Sequence, residues 1–140
     1  MKVRFHYDIE GFRLSESRQI KKIAERIVSD AGLKGGTADI IFTSDEKLLE
    51  INKEFLAHDY YTDIITFDYC EGKIVSGEIY ISIERVKENA VKYEVTLKKE
   101  IKRIVFHGFL HLCGYNDENE KERELMRQME DMYLDLAEAE

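Results

Sequence analysis

The sequence predicts an α+β fold: a roughly four-stranded mixed sheet covered by helices, with a histidine-bearing helix near the C-terminus. Three observations predict it. Four segments, all before residue 84, carry the two-residue alternation or the β-branched and aromatic content of strands. Five segments carry helix signals, and the last three of these follow one another without a strand between them. No internal repeat, low-complexity tract or linker divides the chain, so the strands are expected to share one sheet and residues 1–140 one domain.

The elements follow in order. Residues 2–8 place Val3, Phe5 and Tyr7 on one side of a half-buried strand. Ser15 is placed to open a helix in which Ile20, Ile23, Ala24, Ile27 and Val28 recur at helical spacing. Its opposite face carries Arg18, Lys21, Lys22 and Arg26, and Gly32 stands where a left-handed cap would sit. Gly35-Gly36 reads as a turn before a buried strand over 38–43 (ADIIFT). Ser44 and Asp45 begin a second helix that runs into LLEINKEFL. Residues 62–69 (TDIITFDY) and 77–83 (GEIYISI) read as a hairpin turning around Glu71-Gly72-Lys73. Helices are then expected over 84–93, from a Thr96 cap through Cys113, and over 118–136, the last with Leu125, Met129, Met132 and Leu136 on one face. Proline is absent, so turns must rest on Gly, Asn and Asp.

Composition narrows the classes of function. With 44% hydrophobic and 36% charged residues in 140, the chain is globular and long enough to bury about two-thirds of its unfolded surface. The longest apolar run, 104–113, is broken by two His and a Gly and falls far short of the roughly 20 residues a membrane span needs. The opening residues, MKVRFHYDIEGFR, carry scattered charges unlike a signal peptide, and a cytoplasmic location is expected. Cys70 and Cys113 have no CxxC spacing and are expected as buried free thiols. A net charge of -8 argues against broad, nonspecific coating of nucleic acid, while leaving room for a local basic cleft.

The segment HGFLHLCGYND carries the chemistry. His107 and His111 are four residues apart on a predicted helix, so both imidazoles leave one face a turn apart and can share one ion. Gly114 stops that helix, which lets the chain turn and return Asp117 as a third ligand. Three protein ligands leave a position open for water, the mark of a catalytic site, and a bound ion would acidify that water. Two histidines at this spacing also occur as ordinary core or surface residues. Here both lie in an apolar stretch, where an unpaired imidazole is costly, and an oxygen ligand follows the helix break. HxxxHxxGxxD resembles the zinc site of the metzincin proteases, yet those carry a Glu general base directly after the first His, where this chain has Gly108.

HGFLHLCGYND is also similar to the HGxLHLxGYDH signature of the YbeY family, metal-dependent endoribonucleases of bacterial ribosomal RNA maturation and ribosome quality control. INKEFLAHDYYTDIITFDY resembles that family's helix leading into a TDVLSF-type strand, and GEIYIS resembles its GDIxIS strand. The resemblance covers residues 51–126 closely and the β-α-β start more loosely. It implies a YbeY-like metallohydrolase domain over 1–140 with one zinc ion per chain. It further implies single-strand-specific cleavage in maturation of the 3′ end of 16S ribosomal RNA, with ribosomal RNA and the small subunit as partners.

Two departures stand out. Asp117 occupies the place of the family's third His, and Leu56 the place of an Arg after the aromatic of the preceding helix. Asp is a legitimate zinc ligand that lowers the site's net charge by one, whereas Leu cannot clamp a phosphate as a guanidinium does. His58 is a candidate substitute donor, and equally a solvent-exposed loop histidine. His107, His111 and His58 are thus the candidate catalytic residues. The candidate metal ligands are His107, His111 and Asp117, and the candidate RNA-binding cations are Lys53, Arg85, Lys102 and Arg103, each of which could instead be a solvated surface charge. Glu78 is a candidate for orienting a ligand, or a charge at a strand edge. The competing readings are an RNA- or ribosome-binding protein with a structural or vestigial metal site, and a metallopeptidase.

Overall fold

A computed structural model describes residues 1–58 and 60–139. The element order is β1 (Lys2–Tyr7), α1 (Ser17–Asp30), β2 (Lys34–Thr43), α2 (Asp45–Leu56), β3 (Ile64–Asp68), β4 (Ile74–Ser82), α3 (Ile83–Lys92), α4 (Leu97–Leu112) and α5 (Glu120–Glu138). The four strands form one mixed sheet in the order β1-β2-β4-β3, parallel at β1-β2 and β2-β4 and antiparallel at β3-β4. Both the α+β class and the strand number match the sequence reading.

Register sorts the side chains into two faces. Val3, Phe5 and Tyr7 of β1 align with Ala38, Ile40 and Phe42 of β2, which align in turn with Gly77, Ile79 and Ile81 of β4. This row forms the inner face and packs with Ile20, Ile23 and Ile27 of α1 and with Val105, Phe106 and Phe109 of α4 in the main core. Residues of the other parity face outward. There Leu48 and Ile51 of α2 cover Ile65 of β3 as a smaller second core. Helix α4 is the central support, packing against β3, β4, α1, α3 and α5.

Two local expectations are corrected. Gly35-Gly36 is not a turn: β2 begins at Lys34 and pairs with β4 through a register shift between Gly35 and Ala38. A Cβ at Gly36 would collide with the Ser76 side chain, so glycine here permits close strand approach. Helix α1 starts at Ser17, not Ser15, and its N-cap residue Glu16 makes no capping bond. The Glu16 carboxylate is instead paired with Lys102 Nζ at 2.8 Å.

The face of α5 also differs. Leu125 and Met132 are exposed, while Met126, Glu130, Tyr133, Leu134 and Ala137 are buried. The buried stripe contains a carboxylate and a phenol, whose partners are what make their burial tolerable.

Candidate metal centre and its cleft

Thr96 caps α4 by accepting from the Lys99 backbone N–H at 3.1 Å, and the helix then runs unbroken to Leu112. One turn apart on it, the His107 and His111 rings lie 4.5 Å apart between centroids at 80° to each other. Their Nε2 atoms are 2.9 Å apart. Helix α4 then ends in a Schellman turn: Tyr115 N–H donates to Leu110 O and Gly114 N–H to His111 O, both at 3.0 Å, with Gly114 at φ +100°. This reversal returns Asp117, whose Oδ2 sits 3.2 Å from His111 Nε2 and 3.4 Å from His107 Nε2.

The donor set fits a small divalent ion. Tetrahedral zinc with ligands at about 2.0–2.1 Å separates its donor atoms by about 3.3 Å. The three separations here, 2.9, 3.2 and 3.4 Å, lie around that value. Side-chain exposures of 19%, 23% and 40% for His107, His111 and Asp117 place the cluster at a surface, where an ion held by these three residues would be accessible to water or substrate. Asp117 does not cap the last helix. Asn119 does, accepting from the Glu122 N–H at 2.8 Å.

His107 and Asp117 line a cleft of about 860 Å³ that also takes in Asp63, Arg103, Arg123 and Arg127. Burial opposes a charge on His107, yet its hydrogen bond to Glu130 and the charges of Glu130, Asp117 and Asp63 together hold its pKa above the ordinary value. Burial pushes the Asp63 carboxyl above the usual range, partly offset by His107, its own backbone, Asn89 and Arg85. Asn89 Nδ2 donates to Asp63 Oδ2 at 3.2 Å.

The structure brings together His107, His111 and Asp117, and sets Arg103 in the same cleft. It does not bring the other predicted residues there. Lys102 is buried against Glu16. Arg85 grips Asp45 through two bonds of 2.8 and 3.3 Å and lies over the Tyr61 ring. His58 stacks on Tyr60 with its Nδ1 2.9 Å from the Tyr60 hydroxyl, and exposed Lys53 on α2 is not a cleft-lining residue. Glu78 accepts from the Tyr69 and Tyr80 hydroxyls on the sheet's outer face, opposite α4, so it orients no ligand. A carboxylate that does contact a ligand ring is that of Glu130, 2.6 Å from His107 Nδ1.

Glu130, Asp63, Arg123 and Arg127 escaped the sequence reading. The available signal for Glu130 was its place in the stripe 126, 130, 133, 137, where an acid implies a buried partner.

Gly108 bears on the choice of chemistry. A Cβ there would lie 2.9 Å from Ile79 Cδ1 and 3.2 Å from Ile64 Cδ1, so the residue after the first His faces the sheet in contact. A base at this position would meet the sheet side chains Ile79 and Ile64, not the donors of His107, His111 and Asp117.

Fold and cluster together define an α+β protein with a His-His-carboxylate set, at the mouth of a cleft, able to hold a metal ion. The family model described as Endoribonuclease YbeY matches residues 8–138, and the chain belongs to that family. An Endoribonuclease YbeY of Phocaeicola vulgatus is 42% identical over 132 residues, covering 93% of this chain and 96% of the relative. One from Parabacteroides distasonis is 48% identical over 115 residues, covering 82% and 78%. The solution structure of TM1509 from Thermotoga maritima superposes with a TM-score of 0.66 at 30% identity, covering 96% of this chain and 88% of that one.

Proposed function

We propose that this chain is a zinc-dependent, single-strand-specific endoribonuclease of the cytoplasm that acts in maturation of the 3′ end of 16S ribosomal RNA and in ribosome quality control. Family membership supports the RNA substrate, and the ribosomal setting rests on the likeness of HGFLHLCGYND to the family signature. The observation that carries the metal chemistry is the convergence of His107, His111 and Asp117 donors within 3.4 Å of one another.

When bound, a zinc ion would supply an acidified water and polarise a phosphodiester oxygen. The chain's own residues do the rest. His107 and His111 present ring nitrogens from a rigid helix, and Asp117 contributes a negative charge that makes the site less electrophilic than three imidazoles would. Arg123 and Arg127 extend from α5 into the cleft, where guanidinium groups can bind phosphate oxygens bidentately. Arg123 also donates to the Asp117 carbonyl at 3.3 Å, which links the cation to the ligand-bearing turn. These two arginines stand in for the cation that Leu56 cannot provide.

One departure favours a second reading: with Leu56 in place of the family's Arg, the chain could bind RNA without cutting it. A cleavage assay on single-stranded RNA, with and without a chelator, separates the readings. Chelator-sensitive cleavage is expected. RNA bound but left intact indicates the binding protein, and turnover of peptides but not RNA indicates a peptidase.

A further inference from the structure

Glu130 is seven-percent exposed, one of few charged residues held inside the molecule. Its two oxygens have different partners. Oε2 lies 2.6 Å from His107 Nδ1, and Oε1 accepts from Arg103 Nη1 at 3.1 Å. Arg103 is in turn held by Asp131 Oδ1 at 2.7 Å from its Nη2 and lies 4.0 Å from a Glu100 oxygen. A chain Asp131-Arg103-Glu130-His107 therefore runs from the α5 surface to the ligand ring.

An ionised carboxylate only accepts, so His107 Nδ1 must carry the proton in this contact. In the neutral ring this leaves a lone pair on Nε2, the nitrogen aimed at His111 Nε2 and Asp117 Oδ2. His111 differs. No partner of its Nδ1 is found among the described residues, and its Nε2 faces the cluster without comparable support.

Building on the metal-site reading above, we infer that Glu130, braced by Arg103, is the positioning residue of the metal centre: it fixes His107 in the Nδ1–H tautomer with Nε2 free to bind the ion. A half-buried arginine is thereby assigned to the acid that orients a ligand and is withdrawn from RNA contact. The arrangement also makes the two histidines unequal, His107 pre-set before metal arrives and His111 adjusting when it does. Partners that orient a ligand in this way typically contribute about 10–100-fold to metal affinity.

The test uses the full chain with Glu130→Leu, which removes the acceptor at similar size, and Glu130→Gln, which keeps a carbonyl acceptor. Histidine nitrogen NMR of the metal-free parent, above the titration of His107, should show protonated Nδ1 and bare Nε2. Glu130→Leu should lose that preference and bind Zn²⁺ about 10–100-fold more weakly in competition with a chelating dye. Glu130→Gln should keep the tautomer with a smaller loss. A parent with Nε2–H at His107, or a Glu130→Leu protein with unchanged tautomer and Zn²⁺ affinity, overturns the inference. If Glu130→Leu does not fold, Glu130→Gln decides: Zn²⁺ affinity equal to the parent's overturns it. A parent that binds no Zn²⁺ at all would defeat the metal-site reading itself, and the tautomer measurement would still judge Glu130.

Discussion

At the scale of single residues, Asp117 stands where either of two physical roles is open to it. A carboxylate two residues before a cap can stabilise a helix or can bind an ion, and Asn119 already supplies the capping bond. Asp117 spends its Oδ2 on the two imidazoles and is 40% exposed. Asp117→Ala is therefore expected to change the stability of the metal-free protein by no more than about 0.5 kcal/mol. Its Zn²⁺ affinity should fall by more than about tenfold, because even a ligand's supporting partner is worth that much. Thermal melts and Zn²⁺ titrations on the same samples check both halves.

At the scale of elements, the turn after α4 converts a helical motif into a three-donor site. Gly114 at φ +100° makes that turn, with nothing within 4 Å of the place a Cβ would occupy. Gly114→Ala thus suffers no collision and only backbone strain, about 1–2 kcal/mol for an L-residue forced to positive φ. A lower Tm is expected, and an unchanged Tm would show that the turn relaxes freely. The sequence made this element legible, since His107, His111 and Gly114 stand at spacings that only a helix followed by a stop can use. It made α5 less legible. An apolar count selects Leu125 and Met132, which are exposed, and passes over Glu130 and Tyr133, whose burial depends on His107, Arg103 and Asp30 elsewhere in the chain. Gly35-Gly36 failed for a similar reason: a glycine pair signals a turn locally, while here the demand for glycine comes from the neighbouring strand β4 and the N-terminal Met1. The cations were least legible, because pairing with Glu16 or Asp45 is decided by tertiary distance.

At the scale of the whole molecule, the site depends on α5 being docked so that Glu130 meets His107. The far end of that helix is tied to α1 by Tyr133 Oη, which donates to Asp30 Oδ2 at 2.8 Å, and by Gln19 Nε2, which donates to Ala137 O at 2.7 Å. The Tyr133 hydroxyl, helped by Arg26, holds the Asp30 carboxyl below its usual pKa against a smaller opposing effect of burial. A carboxyl depressed in the folded state contributes stability above its unfolded pKa and loses it as pH falls through the folded one. Tyr133→Phe should therefore cost about 1 kcal/mol near neutrality, discounted from a fully buried charged bond because Asp30 is partly exposed. The difference between parent and variant should shrink under acid conditions, below the Asp30 titration, which melts across a pH series would show.

The most direct measurement strips the protein of metal with a chelator, returns an equimolar amount of Zn²⁺, and follows cleavage of single-stranded RNA bearing the 3′ end of 16S ribosomal RNA. The parent should be silent when stripped and regain cleavage with Zn²⁺, whereas His111→Ala, with only two of the three donors, should stay silent. Cleavage by the stripped parent, or full recovery in His111→Ala, would contradict a metal centre built on His107, His111 and Asp117.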